Sequence, residues 1–189
     1  MPHHWRHTKI GVKFCPTTTA TAIESEVVIL ELFFETETLH AGRFTSVRDA
    51  DNRGRFILRQ KYGTHGSFQL LNTDTHLLGS VAAKENNRYE MKCIGQDRAT
   101  LIRLVGETHP LYMLRGKTWL ITGNLMANHY RAYHGFEAFF ASDVLPGGNT
   151  IRLWCVDEDA APFALLTVAV LDQIRSGTLM KQQPLGYSF

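Results

Sequence analysis

Asp157-Glu158-Asp159, followed by AAPFALLTVAVLDQIR over residues 160–175, decides the fold of this chain. From Ala160 to Leu171 only Thr167 is polar. The helix this run predicts is therefore apolar around its whole circumference and has no face suited to water. A bilayer crossing needs about 20 apolar residues, whereas this run is 12 residues long, so the better reading is a helix buried inside protein. A helix of this kind has to be wrapped, and what precedes it is strand-like throughout.

Twelve candidate strands recur at short intervals: Val27–Phe34, Arg43–Arg48, Arg55–Gln60, Ser67–Asn72, Leu77–Ala83, Arg88–Ile94, Arg98–Val105, Pro110–Leu114, Thr118–Gly123, Asn128–His134, Glu137–Ser142 and Thr150–Val156. They are separated by turn chemistry such as Asp49-Ala-Asp-Asn-Arg-Gly54, Asn72-Thr-Asp-Thr-His76, Gly95-Gln-Asp97 and Pro146-Gly-Gly-Asn149, where Gly, Asn and Asp accept positive φ or bond their own backbone. Antiparallel hairpins follow. Twelve strands in one small domain leave exposed edges unless the sheet closes, and closure supplies the apolar interior the helix requires. The expected fold is all-β with one central helix: a closed twelve-stranded antiparallel barrel around a C-terminal apolar helix. The domain is expected over residues 24–178, with a flexible tail over 1–23 and a short C-terminal tail over 179–189.

The 189 residues suit one well-buried domain. With 44% hydrophobic and 20% charged residues, the composition is that of a globular protein and excludes global disorder. A net charge of +2 gives no reason to expect nucleic acid. Cys15, Cys93 and Cys155 are odd in number and widely spaced, which predicts free thiols, a reducing compartment and a cytoplasmic location. Residues 1–23 lack Asp and Glu and are rich in Thr, a pattern shared by organellar transit peptides and disordered tails.

The ordered series Gly116-Lys-Thr-Trp-Leu-Ile-Thr-Gly123, Tyr130, Gly135, Ala138 to Ala141, Thr150 to Val156 and the helix ending in Leu171-Asp172 resembles the C-terminal half of the LURP-one-related proteins. That family belongs with the tubby C-terminal and phospholipid scramblase domains. The upstream hairpins, Phe44 to Arg55 and Arg88-Tyr-Glu-Met with Gly95 and Ala99-Thr-Leu-Ile102, are similar to the same family, and the likeness spans roughly Val27 to Arg175. It implies a twelve-stranded barrel threaded by its C-terminal helix and, from tubby domains, binding of anionic lipid. The scramblase likeness would imply calcium at the acidic segment before the helix. Here only three acids stand in a row, and capping of the helix by Asp157, Glu158 and Asp159 accounts for them.

No catalytic or metal constellation is found, and neither an enzyme nor a cofactor is expected. Asp49, Asp51 and Gly54 imitate the start of an EF-hand loop, but Arg53 and Gln60 occupy ligand positions, so a hairpin turn is the reading. His129 and His134 are five apart on a strand and fall on opposite faces; His3, His4 and His7 stand alone in the tail. The local charge concentration is Arg43, Arg48, Arg53, Arg55, Arg59 and Lys61, opposed by Asp49 and Asp51, a net +4. Strand alternation puts Arg55, Arg59 and Lys61 on one outward face, suited to the phosphates of an anionic phospholipid headgroup or membrane surface. Alternatives are a scramblase-like membrane protein, and a structural or stress-response barrel with a protein partner.

Overall fold

Every strand of the sheet pairs with its neighbours in sequence, and the last returns to the first. The computed structural model describes residues 29–61, 66–85, 87–107 and 109–182; the expected N-terminal tail and His3, His4, His7 and Cys15 lie outside them. The strands are β1 (Leu30–Glu35), β2 (Phe44–Asp49), β3 (Gly54–Gln60), β4 (Phe68–Asn72), β5 (Leu77–Lys84), β6 (Arg88–Cys93), β7 (Ala99–Val105), β8 (Leu111–Arg115), β9 (Trp119–Asn124), β10 (His129–His134), β11 (Glu137–Val144) and β12 (Thr150–Cys155). They form a closed antiparallel barrel, sealed where β1 pairs with β12 from Leu30↔Cys155 to Glu35↔Thr150. The barrel and its twelve strands are as the turn rhythm predicts. Closure leaves no edge strand open to another chain.

Period-two alternation sorts the side chains. Leu32, Phe34, Val47, Leu58, Phe68, Leu70, Val81, Met91, Leu101, Leu114, Ile121, Phe140, Ile151 and Leu153 all point inward and are buried. A single 3-10 turn, Glu158–Ala160, leads into the axial helix α2 (Ala161–Gln182). Asp157 caps this turn, its Oδ1 accepting the Asp159 N–H at 2.9 Å, which is the capping role expected of the acidic run. From Phe163 to Asp172 no residue of α2 has any exposed surface. Burying each large apolar side chain contributes about 1.5–3 kcal/mol, so the helix is the main ballast of the core. At its N-terminal end Trp119 packs on Phe139, Phe140 and Phe163 with ring centroids 4.7, 5.8 and 6.4 Å away. Gly79 lets β5 approach α2, since a Cβ there would stand 2.9 Å from Cys93 Sγ and 3.2 Å from Leu166 Cδ1.

Two features differ from the sequence expectation. A short helix α1 (Thr36–His40) joins β1 to β2, with Leu39 fully buried; five residues are too few for a helical period to register. The axial helix also runs through Gln182; from Gln173 to Thr178 its side chains are only half-buried, so the polar residues after Leu171 do not break it.

Candidate functional site

β3 carries the basic residues outward, as alternation requires: Leu58 is buried while Arg59 and Lys61 are exposed, and inward Gln60 donates from Nε2 to Gln173 Oε1 of α2 at 3.3 Å. The three cations meet different surroundings. Arg55 is engaged by Glu158 of the 3-10 turn and by Asp49 at 4.0 Å. Arg59 donates to the neutral amide of Gln69 at 2.6 Å and makes no ion pair among the described residues. Lys61 closes β3, its backbone N–H bonding Ser67 O at 2.8 Å.

Register assembles a row that no local stretch of sequence displays. Phe44 lies opposite Arg59, Arg59 opposite Gln69, Gln69 opposite Ser80, and Ser80 opposite Lys92. All five are on the outer wall, Phe44 is 68% exposed, and Lys92 makes no ion pair among the described residues. The wall therefore has cations at Arg59, Lys61 and Lys92 beside an exposed aromatic ring. A second row, Ile102, Met113, Leu120, Tyr133 and Ala138, crosses β7 to β11 on the outside and is apolar apart from the tyrosine hydroxyl.

The mouth of the barrel at the C-terminal end of α2 is polar. Asp172, fully buried, accepts Asn128 Nδ2 at 2.8 Å and Arg175 Nη2 at 2.8 Å. Tyr112 and Tyr130 point inward from β8 and β10, and burial pushes the Tyr112 phenol up to about 12, Arg103 pulling it back. Burial also raises Tyr130, and Tyr112 and Asp172 add to the effect. The hydroxyls of Tyr112, Tyr130 and Ser142 and the Asn128 Oδ1 are buried without a hydrogen-bond partner among the described residues. Gly123 makes room for Tyr130: a Cβ there would lie 2.0 Å from His129 O and 2.8 Å from the Tyr130 ring. Beside this cluster opens a cavity of about 570 Å³ lined by Tyr89, Arg103, Tyr112, Gln173, Ile174 and Thr178 among others. Sequence reasoning missed this mouth, and the one signal it offered was an aspartate ending an apolar helix.

Several other titratable groups are engaged away from these two regions. The Asp49 carboxylate accepts the N–H groups of Asp51 and Arg53 at 3.1 and 2.9 Å, which is the expected hairpin turn. His129 Nδ1 lies 3.0 Å from Asp143, whose other oxygen accepts from Arg152, on the wall away from exposed His134. Burial raises the Cys93 thiol to about 12 and the Cys155 thiol to about 11, so both are protonated and poor nucleophiles at neutral pH. Among the described residues no group of three potential ligands is placed to hold a metal.

No helix among the described residues is long and apolar enough to cross a membrane. No protein-family model matches the chain, and no curated protein matches it. A protein from Arabidopsis thaliana solved by X-ray crystallography is similar in structure, with a TM-score of 0.56 and 14% sequence identity, over 78% of this chain and 92% of that one. The likeness is one of fold: a twelve-stranded barrel enclosing its C-terminal helix.

Proposed function

We propose that this chain is a non-catalytic binding module of the LURP-one-related and tubby-like group, recognising anionic phospholipid headgroups through Arg59, Lys61 and Lys92 on the barrel wall. The observation that carries the reading is the outward row of Phe44, Arg59, Gln69, Ser80 and Lys92, which sets cations and an exposed ring on one face. Cations of this kind each contribute about 1 kcal/mol near an anionic surface, and an aromatic ring beside them suits the headgroup boundary. Arg55 belongs to a different device, since its pairing with Glu158 and Asp49 ties β3 to the start of the axial helix.

Co-sedimentation with phosphatidylcholine vesicles, with and without phosphoinositides, across a salt series tests this. Salt-sensitive binding is expected to fall at least about tenfold in Arg59→Gln/Lys61→Gln/Lys92→Gln, while Arg55→Gln binds almost as the parent does. Absence of binding to every anionic vesicle would overturn the reading. A protein partner would then be sought at the apolar row from Ile102 to Tyr133.

A further inference from the structure

We propose that the cavity in the barrel mouth beside α2 binds a small organic molecule bearing a phosphate or carboxylate group, held by Arg103, the Tyr112 hydroxyl and the Gln173 amide. This site is inside the mouth and independent of the cationic wall. Three observations converge on it. The first is Tyr112, only 1% exposed, whose hydroxyl has no partner among the described residues although its residue lines the cavity. A buried donor left unmade costs about 1–3 kcal/mol, so an acceptor arriving in the cavity would be rewarded at that point. The second is Arg103. It lines the same cavity, acts on the Tyr112 phenol electrostatically, and makes no ion pair among the described residues. It also sits at a β-bulge, where the register between β7 and β8 shifts between Arg103 and Val105; bulges re-aim side chains at barrel rims.

The third is the balance of donors and acceptors. Gln173 receives Gln60 Nε2 on its Oε1, which leaves its own amide N–H groups to donate. The Thr178 hydroxyl is turned to Ile174 O at 2.9 Å. The nearby carboxylate, Asp172, is held by Arg175 and Asn128 and is not part of the lining. Among the described residues the lining is thus rich in donors and holds no competing anion, while Ile174, Gly177 and the rings of Tyr89 and Tyr112 offer apolar surface for a carbon body. Its volume of about 570 Å³ falls in the range of small-molecule sites. An ordered water could satisfy Tyr112 equally well, but it would give Arg103 no counter-charge.

The test is calorimetric titration of the full chain with inorganic phosphate, glycerol 3-phosphate, citrate and short-chain phosphatidic acid below its micellar concentration. Saturable binding of at least one is expected, weakened about tenfold by Arg103→Gln and about threefold by Tyr112→Phe. Tyr112→Phe should at the same time melt at or above the parent temperature, since it removes an unsatisfied hydroxyl. Binding of glycerol 3-phosphate points to a soluble phosphate ester, of phosphatidic acid alone to a lipid, and of citrate alone to a carboxylate. Arg59→Gln/Lys61→Gln/Lys92→Gln should bind these anions unchanged, which separates this site from the wall. No binding of any of the four up to about 10 mM, or binding indifferent to both Arg103→Gln and Tyr112→Phe, overturns the proposal.

Discussion

The two halves of the axial helix sit in the same barrel and meet opposite chemistry. From Phe163 to Leu171 the helix is enclosed by Leu, Val, Met and aromatic side chains, and its single hydroxyl, on Thr167, points to Met91 Sδ at 3.6 Å. One residue later the surroundings become Asp172, Asn128, Tyr112, Tyr130, Ser142 and Arg175, with four buried polar atoms unpartnered among the described residues. The dry half fixes the fold and has nothing left to bind. The wet half holds unfulfilled hydrogen-bonding capacity beside an open cavity, as functional sites do when they trade local stability for recognition.

The sharpest way to break this contrast is to put charge into the dry half. Leu166→Asp or Val170→Asp introduces a carboxylate with no partner at a site with no exposed surface, and a charge buried in this way is among the most damaging single changes known. Neither variant should fold, as read by circular dichroism and by solubility. A normal spectrum from both would mean that the helix is not enclosed.

In the wet half a charge is already present and partnered, so its removal should do less. Asp172→Ala strands Arg175 and the Asn128 amide and should cost about 3 kcal/mol in urea denaturation. Asp172→Asn retains hydrogen-bonding atoms and should cost about half as much. Equal losses in the two would show that charge rather than shape is what Asp172 supplies.

Alkaline titration probes both halves together. Cys93 and Cys155 belong to the dry half, and burial holds their thiols near 12 and 11; Tyr112, in the mouth, is held near 12. Each folded pKa exceeds its unfolded value, so above pH 9 the unfolded chain has lost protons that the folded chain retains. The stability these groups contribute is therefore complete below pH 9 and is lost as pH rises toward 12. Urea midpoints should be flat from pH 7 to 8.5 and fall steadily above 9. In Cys93→Ala the decline should be shallower from its onset near pH 9 up to about pH 12, the interval over which the buried thiol keeps a proton that the unfolded chain has lost.

Much of the dry half was legible in the sequence because its causes are local. Alternation along strands such as Phe44–Asp49 and Thr150–Cys155, and turn residues such as Asn52 with φ of 64°, act within a few positions. The run from Ala160 to Leu171 needs no partner to be recognised. The site residues were legible only in part. Arg59 and Lys61 were placed outward by alternation, but Arg55 meets Glu158 across 103 positions, and Lys92 joins Arg59 only through three successive strand pairings. The cavity at Arg103, Tyr112 and Gln173 depends on which end of the helix meets which strand ends, a consequence of barrel closure that no window of sequence contains.

The smallest expected effect is also the most diagnostic of the wet half. Tyr130 is fully buried, and its hydroxyl and that of Ser142 lack partners among the described residues although the two residues stand opposite each other on β10 and β11. Replacing an unsatisfied hydroxyl by an isosteric apolar group removes a desolvation penalty and leaves the packing in place. Tyr130→Phe should therefore be neutral or stabilising by up to about 1 kcal/mol, where removing a paired tyrosine hydroxyl would destabilise by a similar amount. Ser142→Ala should behave likewise, with a still smaller change. A clear loss of stability in Tyr130→Phe would mean that the hydroxyl is satisfied by a trapped water. The mouth would then be a hydrated extension of the core, and Tyr112 would be the group left to mark a binding site.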